Sequence, residues 1–195
     1  AGVDVGQVYV MDASRRTTAA NAYVNGLGRT KRVVLYDTLL RDFTPAEVRL
    51  VVAHELGHVR YDDVPRGLLW VAIVTPFALF AASRMTVRLA PEEDRAGPAV
   101  LPALALSVSV AVLLVGTVSN QLSRRVEARA DSYSLELTGA PEPFIGFEKR
   151  IALRNVSDPS PPAWRTWLLA THPPTIERIG IAEAYRRRPP APGRR

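Results

Sequence analysis

The chain has 195 residues, 47% of them hydrophobic, and a formal net charge of +6. This length allows one domain with a substantial core. Because there is no cysteine, disulfide bonds and thiolate zinc sites are excluded. The positive charge is spread over the flanks of apolar segments and a Pro-rich tail, so we expect no nucleic-acid partner. The start at Ala1, without methionine or a signal-peptide pattern, is typical of a fragment or processed product.

The amino-terminal part contains three short β-prone runs, at residues 8–11, 22–24 and 32–36. Asn25-Gly26 and Gly28 mark a turn between the last two runs. We therefore predict a small β-hairpin or sheet. An edge strand beside a catalytic helix would bind an extended peptide by strand addition, although a purely structural hairpin has the same pattern.

A helix is predicted to begin at Pro45. Thr44 and Glu47 form the S/T-x-x-E pattern of a capping box, and proline suits the first helical position. The apolar residues that follow lead into the sequence HELGH, residues 54–58. We therefore expect HELGH to lie on this helix.

HELGH has the residue types and the spacing of a catalytic zinc site. His54 and His58 are four positions apart, so one turn, roughly 6 Å of rise, places both imidazoles on the same helix face. Neutral imidazoles suit Zn²⁺, and Glu55 would accept the proton of a water at an open coordination position. Two ordinary histidines on an amphipathic helix are the simpler interpretation, but the capped helix and the motif together favour one zinc ion per chain.

Two apolar segments follow, and we predict both as transmembrane helices. The first covers residues 67–83 and contains Pro76, a predicted kink, and the second covers residues 96–123 with an apolar core at 99–118. Two buried helices of a soluble protein are the alternative. Because one span leads out and the other leads back, the hairpin returns the chain to the side that it left.

The charges beside these segments predict an orientation. Five arginines flank the spans on the HELGH side, whereas the hairpin connection holds Arg84 and Arg88 beside three acidic residues at 92–94. Positive residues favour the cytoplasm, so the catalytic side of this multi-pass membrane protein is predicted to be cytoplasmic. The lipid bilayer is then a partner, and the arginine-rich tail, residues 186–195, predicted to be disordered, would lie near anionic head groups.

A third zinc ligand must come from another part of the chain. Residues 120–138 form a second periodic stretch, in which Glu127 and Asp131 share one face. One carboxylate could bind the metal while the other accepts the N–H of a ligand histidine. Asp62 and His172 are rival ligands, and a solvated helix is the simpler interpretation of the acidic pair.

The last predicted element is a helix over residues 175–185, preceded by His172 and two prolines that fix the backbone. His172, Arg178 or both could stabilise the oxyanion that forms when water attacks a peptide carbonyl. Taken singly, the two residues are equally compatible with a loop histidine and an ion-pair arginine. Trp164 and Trp167 are predicted to lie at the membrane interface or in packing contacts.

Five stretches occur in the order and with the wording of one protein family: NAYVNG (21–26), KRVVLYDTLL (31–40), HELGH (54–58), SRRVEARAD (123–131) and HPPTIER (172–178). By these motifs the chain resembles the type I CAAX prenyl proteases, which are integral-membrane zinc endopeptidases. The resemblance covers about residues 21–180. The HtpX-like membrane proteases share the zinc motif but look less similar in the LYDTLL segment.

The resemblance implies roles for the residues of the metal site. Glu127 would be the third zinc ligand. Glu55 would be the general base and acid, and Asp131 would support the site from behind the ligands.

The resemblance also implies the substrate contacts. His172 and Arg178 would lie close to the substrate carbonyl, and Asn21 and Ala22 would face the substrate. Members of this family carry several transmembrane helices before the matching region.

The expected fold is mainly α with a small β-hairpin or sheet: a membrane-embedded, zincin-like metalloprotease with two transmembrane helices between the zinc motif and the third ligand. The catalytic part would comprise residues 1–66 and 119–185, separated by the hairpin at 67–118. Its substrate would be a peptide or protein, either prenylated or membrane-embedded. A broad-specificity quality-control protease and a non-catalytic membrane scaffold with structural zinc remain open as alternatives.

Overall fold

The computed structural model describes residues 6–26, 30–90, 92 and 97–188. The elements in these ranges are β1 Gln7–Met11, β2 Ala22–Asn25, β3 Arg32–Tyr36, α1 Asp37–Asp42, α2 Pro45–Arg60, α3 Asp63–Leu89, α4 Val100–Thr138, α5 Pro141–Arg154, α6 Ala163–Leu169 and α7 Thr175–Arg186. The fold is thus mainly helical with a small sheet, as predicted. Gly28 of the predicted turn and residues 189–195 of the predicted tail lie outside the described residues.

The sheet has the strand order β1-β3-β2. β2 and β3 are antiparallel, as the hairpin prediction requires, whereas β1 adds to the other side of β3 in parallel. Val33 and Leu35 of β3 are buried and pack with Leu39, Phe43 and Phe147 in one of the two apolar clusters. β2 is therefore an edge strand held against a helical core.

The capping box at the start of α2 is confirmed. The Glu47 side chain accepts a hydrogen bond from the Thr44 N–H at 2.8 Å, and the Thr44 hydroxyl accepts one from the Glu47 N–H. Glu47 is buried, and its other oxygen lies 3.2 Å from Arg150 of α5. These contacts fix the helix that carries HELGH.

A sharp backbone turn separates α2 from α3. Asp62 has φ 52° and ψ 43°, a left-handed conformation that non-glycine residues seldom adopt. α3 begins at the next residue, Asp63. Because α2 stops here, the next residues do not continue its HELGH face.

α3 and α4 are long and apolar enough to cross a membrane. In the most apolar 18-residue window of each helix, only 6% (α3) and 11% (α4) is buried, whereas the core helix of a soluble protein would be mostly buried. α3 contains Pro76 in its interior. α4 is a single helix of 39 residues, so the second predicted span and the predicted third-ligand helix are one element.

The carboxy-terminal helices close the structure around α4. α4 ends at Gly139, which adopts the left-handed conformation expected of a helix stop (φ 63°). A second cluster joins α2, α4, α5 and α7 through Leu50, Leu135, Phe144, Ile145 and Ala182. α6 is held to α4 by hydrogen bonds from Asn120 and Gln121 to its last carbonyl groups.

Candidate metal centre

Three side-chain donors converge where α2 crosses α4. The Nε2 atoms of His54 and His58 are 3.1 Å apart. Glu127 approaches both rings, with Oε2 3.3 Å from Nε2 of His54 and Oε1 3.6 Å from Nε2 of His58. Among the described residues, these three form the group that could hold a metal ion.

The donor separations fit a single zinc ion. Tetrahedral coordination with zinc–ligand bonds of about 2.0–2.2 Å requires donor atoms roughly 3.3 Å apart. The Nδ1 atoms of His54 and His58 both face carboxylates, at 2.9 and 3.0 Å. An ionised carboxylate can only accept, so each Nδ1 carries a hydrogen, and each Nε2 would offer its lone pair at the same point once metal binding displaces its proton. Two nitrogen lone pairs and a carboxylate then face one another, an arrangement that a cation stabilises.

A buried chain of ionic contacts supports His54 from behind. Nδ1 of His54 contacts Oδ1 of Asp131, and Arg178 binds both oxygens of Asp131, at 2.8 and 2.5 Å. Nη1 of Arg178 lies 2.9 Å from Oε1 of Glu148, an ion pair without hydrogen-bond geometry. Asp131 is fully buried and Glu148 is almost so. These contacts join α2, α4, α7 and α5, so all four helices determine the orientation of the His54 imidazole.

The pKa shifts of the groups in these ionic contacts indicate a negative electrostatic potential around His54. Burial lowers the pKa of His54, but hydrogen bonds to Asp131 and Glu127 outweigh it and raise the pKa from 6.5 to about 9. Burial raises the pKa of Asp131, but its hydrogen bonds with Arg178 and His54 prevail and lower it from 3.8 to about 2. Burial also raises the pKa of Glu127, yet the hydrogen bond with His54 and the nearby histidines bring it below its usual value. The same potential that favours protonation of His54 favours binding of a metal cation.

Glu55 lies between the metal centre and the sheet. Its Oε2 accepts a hydrogen bond from the Val24 N–H of β2 at 3.2 Å. Burial raises the pKa of Glu55, and the two histidines of the motif oppose that shift. A carboxylate with a raised pKa is a better proton acceptor near neutral pH than an ordinary glutamate.

One cavity of about 990 Å³ collects the predicted site residues. It is lined, among others, by Asn21, Ala22, His54, Glu55, His58, Glu127, His172 and Arg178. Asp131 lies behind the lining, fully buried. A volume near 1,000 Å³ is at the upper end of the range for ligand sites and suits a short stretch of extended peptide.

His172 and Arg178 occupy different environments in this cavity. His172 is exposed, and its Nε2 lies 3.5 Å from Oε2 of Glu127. Arg178 is mostly buried, with three of its nitrogens directed to Asp131 and Glu148. His172 therefore faces the open part of the cavity, while Arg178 orients the carboxylate that holds His54.

Asn21 and Ala22 lie at the start of the edge strand. The Ala22 N–H is directed to the Asn21 side chain at 2.9 Å, and the Val24 N–H is directed to Glu55. Neither of these two N–H groups is used by β3. They form the outer edge of the sheet, on the side of the cavity.

Asp62, a rival for the third ligand position, lies outside the donor group. Its side chain is 62% exposed and 3.6 Å from Nζ of Lys31. Asp62 was a rival only on the assumption that α2 continues past His58, which would keep it on the same face as the two histidines. The left-handed turn at Asp62 removes it from that face.

Two residues in contact with the site were not identified from the sequence. Glu148 was missed because α5 was not predicted and its contact with Arg178 is purely tertiary. Asp63 faces His58, although the sequence directs attention to its neighbour Asp62, one helical turn beyond that histidine. The doubled acid after HELGH is the signal that could have indicated Asp63.

Gly57 allows α2 and α4 to approach closely enough for the donors to meet. A Cβ atom at this position would lie 3.3 Å from both the Ala130 Cα and the Tyr133 ring. Such contacts are tight, so a larger residue would move α4 away. The glycine of HELGH is thus part of the geometry that brings Glu127 to the histidines.

Comparisons with known sequences identify similar proteins. Residues 1–186 match the sequence model of the family described as "Peptidase family M48". The chain is 34% identical to an uncharacterized metalloprotease, YhfN, of Bacillus subtilis (strain 168), over 94% of this chain and 45% of that protein. It is 29% identical to a CAAX prenyl protease 1 homolog of Oryza sativa subsp. japonica, over 91% of this chain and 43% of that protein. It is 30% identical to Protease HtpX of Pseudomonas putida (strain W619), over 96% of this chain and 67% of that protein.

A comparison with solved structures supports the fold. The crystal structure of S. mikatae Ste24p superimposes with a TM-score of 0.76 at 21% sequence identity. The match covers 92% of this chain and 45% of that one. The chain thus spans about half the length of the YhfN and CAAX prenyl protease relatives and of this structural neighbour.

Proposed function

Because the chain belongs to peptidase family M48, we propose that it carries the catalytic site of an integral-membrane zinc endopeptidase similar to the CAAX prenyl proteases. The observation that carries the proposal is the convergence of His54, His58 and Glu127 at zinc-binding separations. Glu55 lies beside them in the same cavity. A structural zinc site would have no need of a base at that position.

His54, His58 and Glu127 would hold the zinc ion, leaving one coordination position open. Bound zinc would activate a water molecule and polarise the scissile carbonyl. Asp131 would keep Nε2 of His54 directed to the metal by accepting the Nδ1–H. With zinc bound, this ligand set would be the zincin-like arrangement expected from the sequence.

Glu55 would move the proton in the reaction. Its carboxylate accepts a proton from the attacking water and donates it to the nitrogen of the leaving amine, so the group is regenerated in each turnover. Its raised pKa favours this exchange near neutral pH. His172 would donate a hydrogen bond to the developing oxyanion from the open part of the cavity, and the positive charge of Arg178 would stabilise it.

The outer edge of β2 would bind the substrate as an added strand. The Ala22 N–H, now directed to Asn21, would bond the peptide main chain beside the metal centre. Main-chain recognition tolerates many side chains, so specificity would come from the rest of the cavity. The substrate would be a peptide or protein that is prenylated or embedded in the membrane.

α3 and α4 would cross the bilayer as a hairpin, making the chain multi-pass. Arginines flank the catalytic ends of the two helices, so that side would be cytoplasmic. The hairpin explains how a glutamate on α4 reaches a motif on α2, because both helix ends lie on the same side.

Replacing Glu55 with glutamine tests the assignment directly. The detergent-purified Glu55→Gln variant should retain zinc but lose about 10²- to 10⁴-fold in turnover, because an amide cannot accept the proton. Zinc content and peptide cleavage are measured on the same sample. Normal turnover with normal zinc content would remove the assigned base.

Replacing Glu127 with alanine tests the ligand set. This variant should lose zinc, because two imidazoles alone bind the ion weakly. Glu136→Ala is a matched control, since Glu136 lies on the same helix, its side chain is 59% exposed and it is not one of the residues that line the cavity. Full zinc occupancy in Glu127→Ala would transfer the third position to another group.

A broad-specificity membrane quality-control protease is the second candidate, and the match to Protease HtpX over 67% of that protein favours it. Digestion of a prenylated peptide beside an unmodified membrane substrate separates the two. Cleavage of the unmodified substrate alone would favour quality control. If the chain were a scaffold with structural zinc, it would show no chelator-sensitive hydrolysis of either substrate.

A further inference from the structure

The second motif histidine has an acidic partner of its own. Nδ1 of His58 lies 3.0 Å from Oδ2 of Asp63, whose side chain is only 9% exposed. Asp63 is the first residue of α3, and the left-handed turn at Asp62 brings it back against α2. The reversal of the backbone at Asp62 directs the Asp63 carboxylate toward the last turn of α2, where His58 lies.

The other oxygen of Asp63 is occupied as well. Nη2 of Arg129 donates to Oδ1 of Asp63. The guanidinium of Arg129 also stacks over the Tyr61 ring, 4.2 Å from its centroid. Arg129 lies on α4, two positions after Glu127. Asp63 is thus held in one orientation by the helix that supplies the third donor.

The two histidines therefore have equivalent supports. Each donates its Nδ1–H to a poorly exposed aspartate, and each aspartate pairs with an arginine: Asp131 with Arg178, and Asp63 with Arg129. In each support the arginine offsets the charge of the aspartate, so the aspartate can stay ionised and accept the Nδ1–H.

We propose that Asp63 is a positioning residue of the metal centre: it fixes the ring of His58 with Nε2 directed to the zinc, and Arg129 fixes Asp63 in turn. The proposal rests on the proposed function, because His58 needs this orientation only if it binds a metal. Residues that orient a metal-binding histidine contribute about 10- to 100-fold to metal affinity. Since Asp63 begins α3 and Arg129 belongs to α4, the support also fastens both arms of the helical hairpin to one ligand.

Zinc affinity of the detergent-purified chain, measured by competition with a chromogenic chelator, tests the proposal. Asp63→Ala should weaken zinc binding by about 10- to 100-fold. Asp63→Asn should lose less, because the amide oxygen can still accept the Nδ1–H. Asp62→Asn is the matched control, since the neighbouring carboxylate is exposed and should leave zinc affinity unchanged. A purely structural role would lower the melting temperature of Asp63→Ala without this graded rescue.

The visible spectrum of the cobalt-substituted chain gives a second measurement. Rotation of His58 should change the cobalt bands in Asp63→Ala and leave them unchanged in Asp62→Asn. If Asp63→Ala does not fold, Arg129→Gln leaves the Asp63 carboxylate in place but removes its ion pair, and should weaken zinc binding to a smaller degree. Wild-type zinc affinity in a folded Asp63→Ala, or in Arg129→Gln where the former does not fold, would overturn the proposal.

The variant His58→Ala distinguishes the two failures. Loss of zinc in His58→Ala together with wild-type affinity in Asp63→Ala would reject only the positioning role. Wild-type zinc binding in His58→Ala would reject the ligand set itself, and with it the proposed function.

Discussion

Nδ1 of His54 lies 2.9 Å from Oδ1 of Asp131, although 77 positions and both candidate membrane spans separate the two residues along the chain. Arg178 brings a third distant segment to the same carboxylate. The orientation of one imidazole thus depends on helices from three parts of the sequence. The following changes test how strongly the metal centre depends on such contacts.

Replacing Asp131 with asparagine should weaken zinc binding by about 10- to 100-fold and lower the melting temperature. The amide can still accept from His54, but it removes one of the two carboxylates that pair with the buried guanidinium of Arg178, which is costly. Chelator competition and thermal unfolding of the same sample measure both effects. Glu136→Gln, a change at an exposed residue of α4 that does not line the cavity, should alter neither. An unchanged zinc affinity in Asp131→Asn would show that His54 needs no support.

Replacing Glu148 with glutamine should flatten the pH dependence of stability. Burial raises the pKa of Glu148 from 4.5 to about 7, although Arg178 opposes the shift. A pKa that is higher in the folded state means that the folded chain binds more protons, so its contribution to stability is present below pH 4.5 and is lost as pH rises through about 7. The contribution is of the order of 3 kcal/mol for a shift of this size.

Melting temperatures measured between pH 4.5 and 8 check this expectation. The wild type should lose stability over that interval more steeply than Glu148→Gln. Glu136→Gln, a change on the surface of α4, is the control and should follow the wild type. Parallel curves for the wild type and Glu148→Gln would contradict the raised pKa.

A larger residue in place of Gly57 should lower the zinc affinity more than it lowers the stability of the fold. Gly57→Ala adds a Cβ only 3.3 Å from the Ala130 backbone, so α4 must shift by a few tenths of an ångström and Glu127 shifts with it. We expect a small loss of zinc affinity for alanine and a large loss for valine. Gly180→Ala in α7 is the control, because its Cβ would meet nothing within 4 Å. That variant should be neutral or more stable, since alanine favours helices by about 1 kcal/mol over glycine.

The left-handed residue between α2 and α3 predicts opposite effects for two substitutions. Asp62→Gly should fold at least as well as the wild type and retain zinc, because glycine adopts φ 52° without strain. Asp62→Val should cost about 1–2 kcal/mol and disturb Asp63 as well, because a β-branched residue resists this conformation. Thermal unfolding and zinc content measure both. Loss of zinc in Asp62→Gly would restore Asp62 as a ligand.

Local signals predicted the elements that they encode. The capping box fixed the start of α2 at Pro45, and Gly139 marked the end of α4. β3 was predicted over residues 32–36, where it occurs. At each of these positions the side chain or the backbone freedom of a few adjacent residues determines the boundary, so no tertiary information is needed.

Tertiary contacts explain what the sequence did not predict. α1 and α6 are short, and α5 packs Phe144 and Phe147 into two different apolar clusters. The parallel pairing of β1 depends on a connection that no periodicity encodes. α4 was divided at its first charged residues, yet a helix need not end where an apolar stretch ends. Asp63 and Glu148 reach the site only through a reversed backbone and a contact between helices.

The unbroken course of α4 has a mechanical consequence. A helix of 39 residues is about 58 Å long, and it carries the apolar segment at one end and Glu127 near the other. Because the helix is continuous between them, a tilt of the apolar segment in a bilayer would displace the Glu127 carboxylate. In the proposed membrane topology, bilayer thickness would thereby influence the separation of Glu127 from the two histidines.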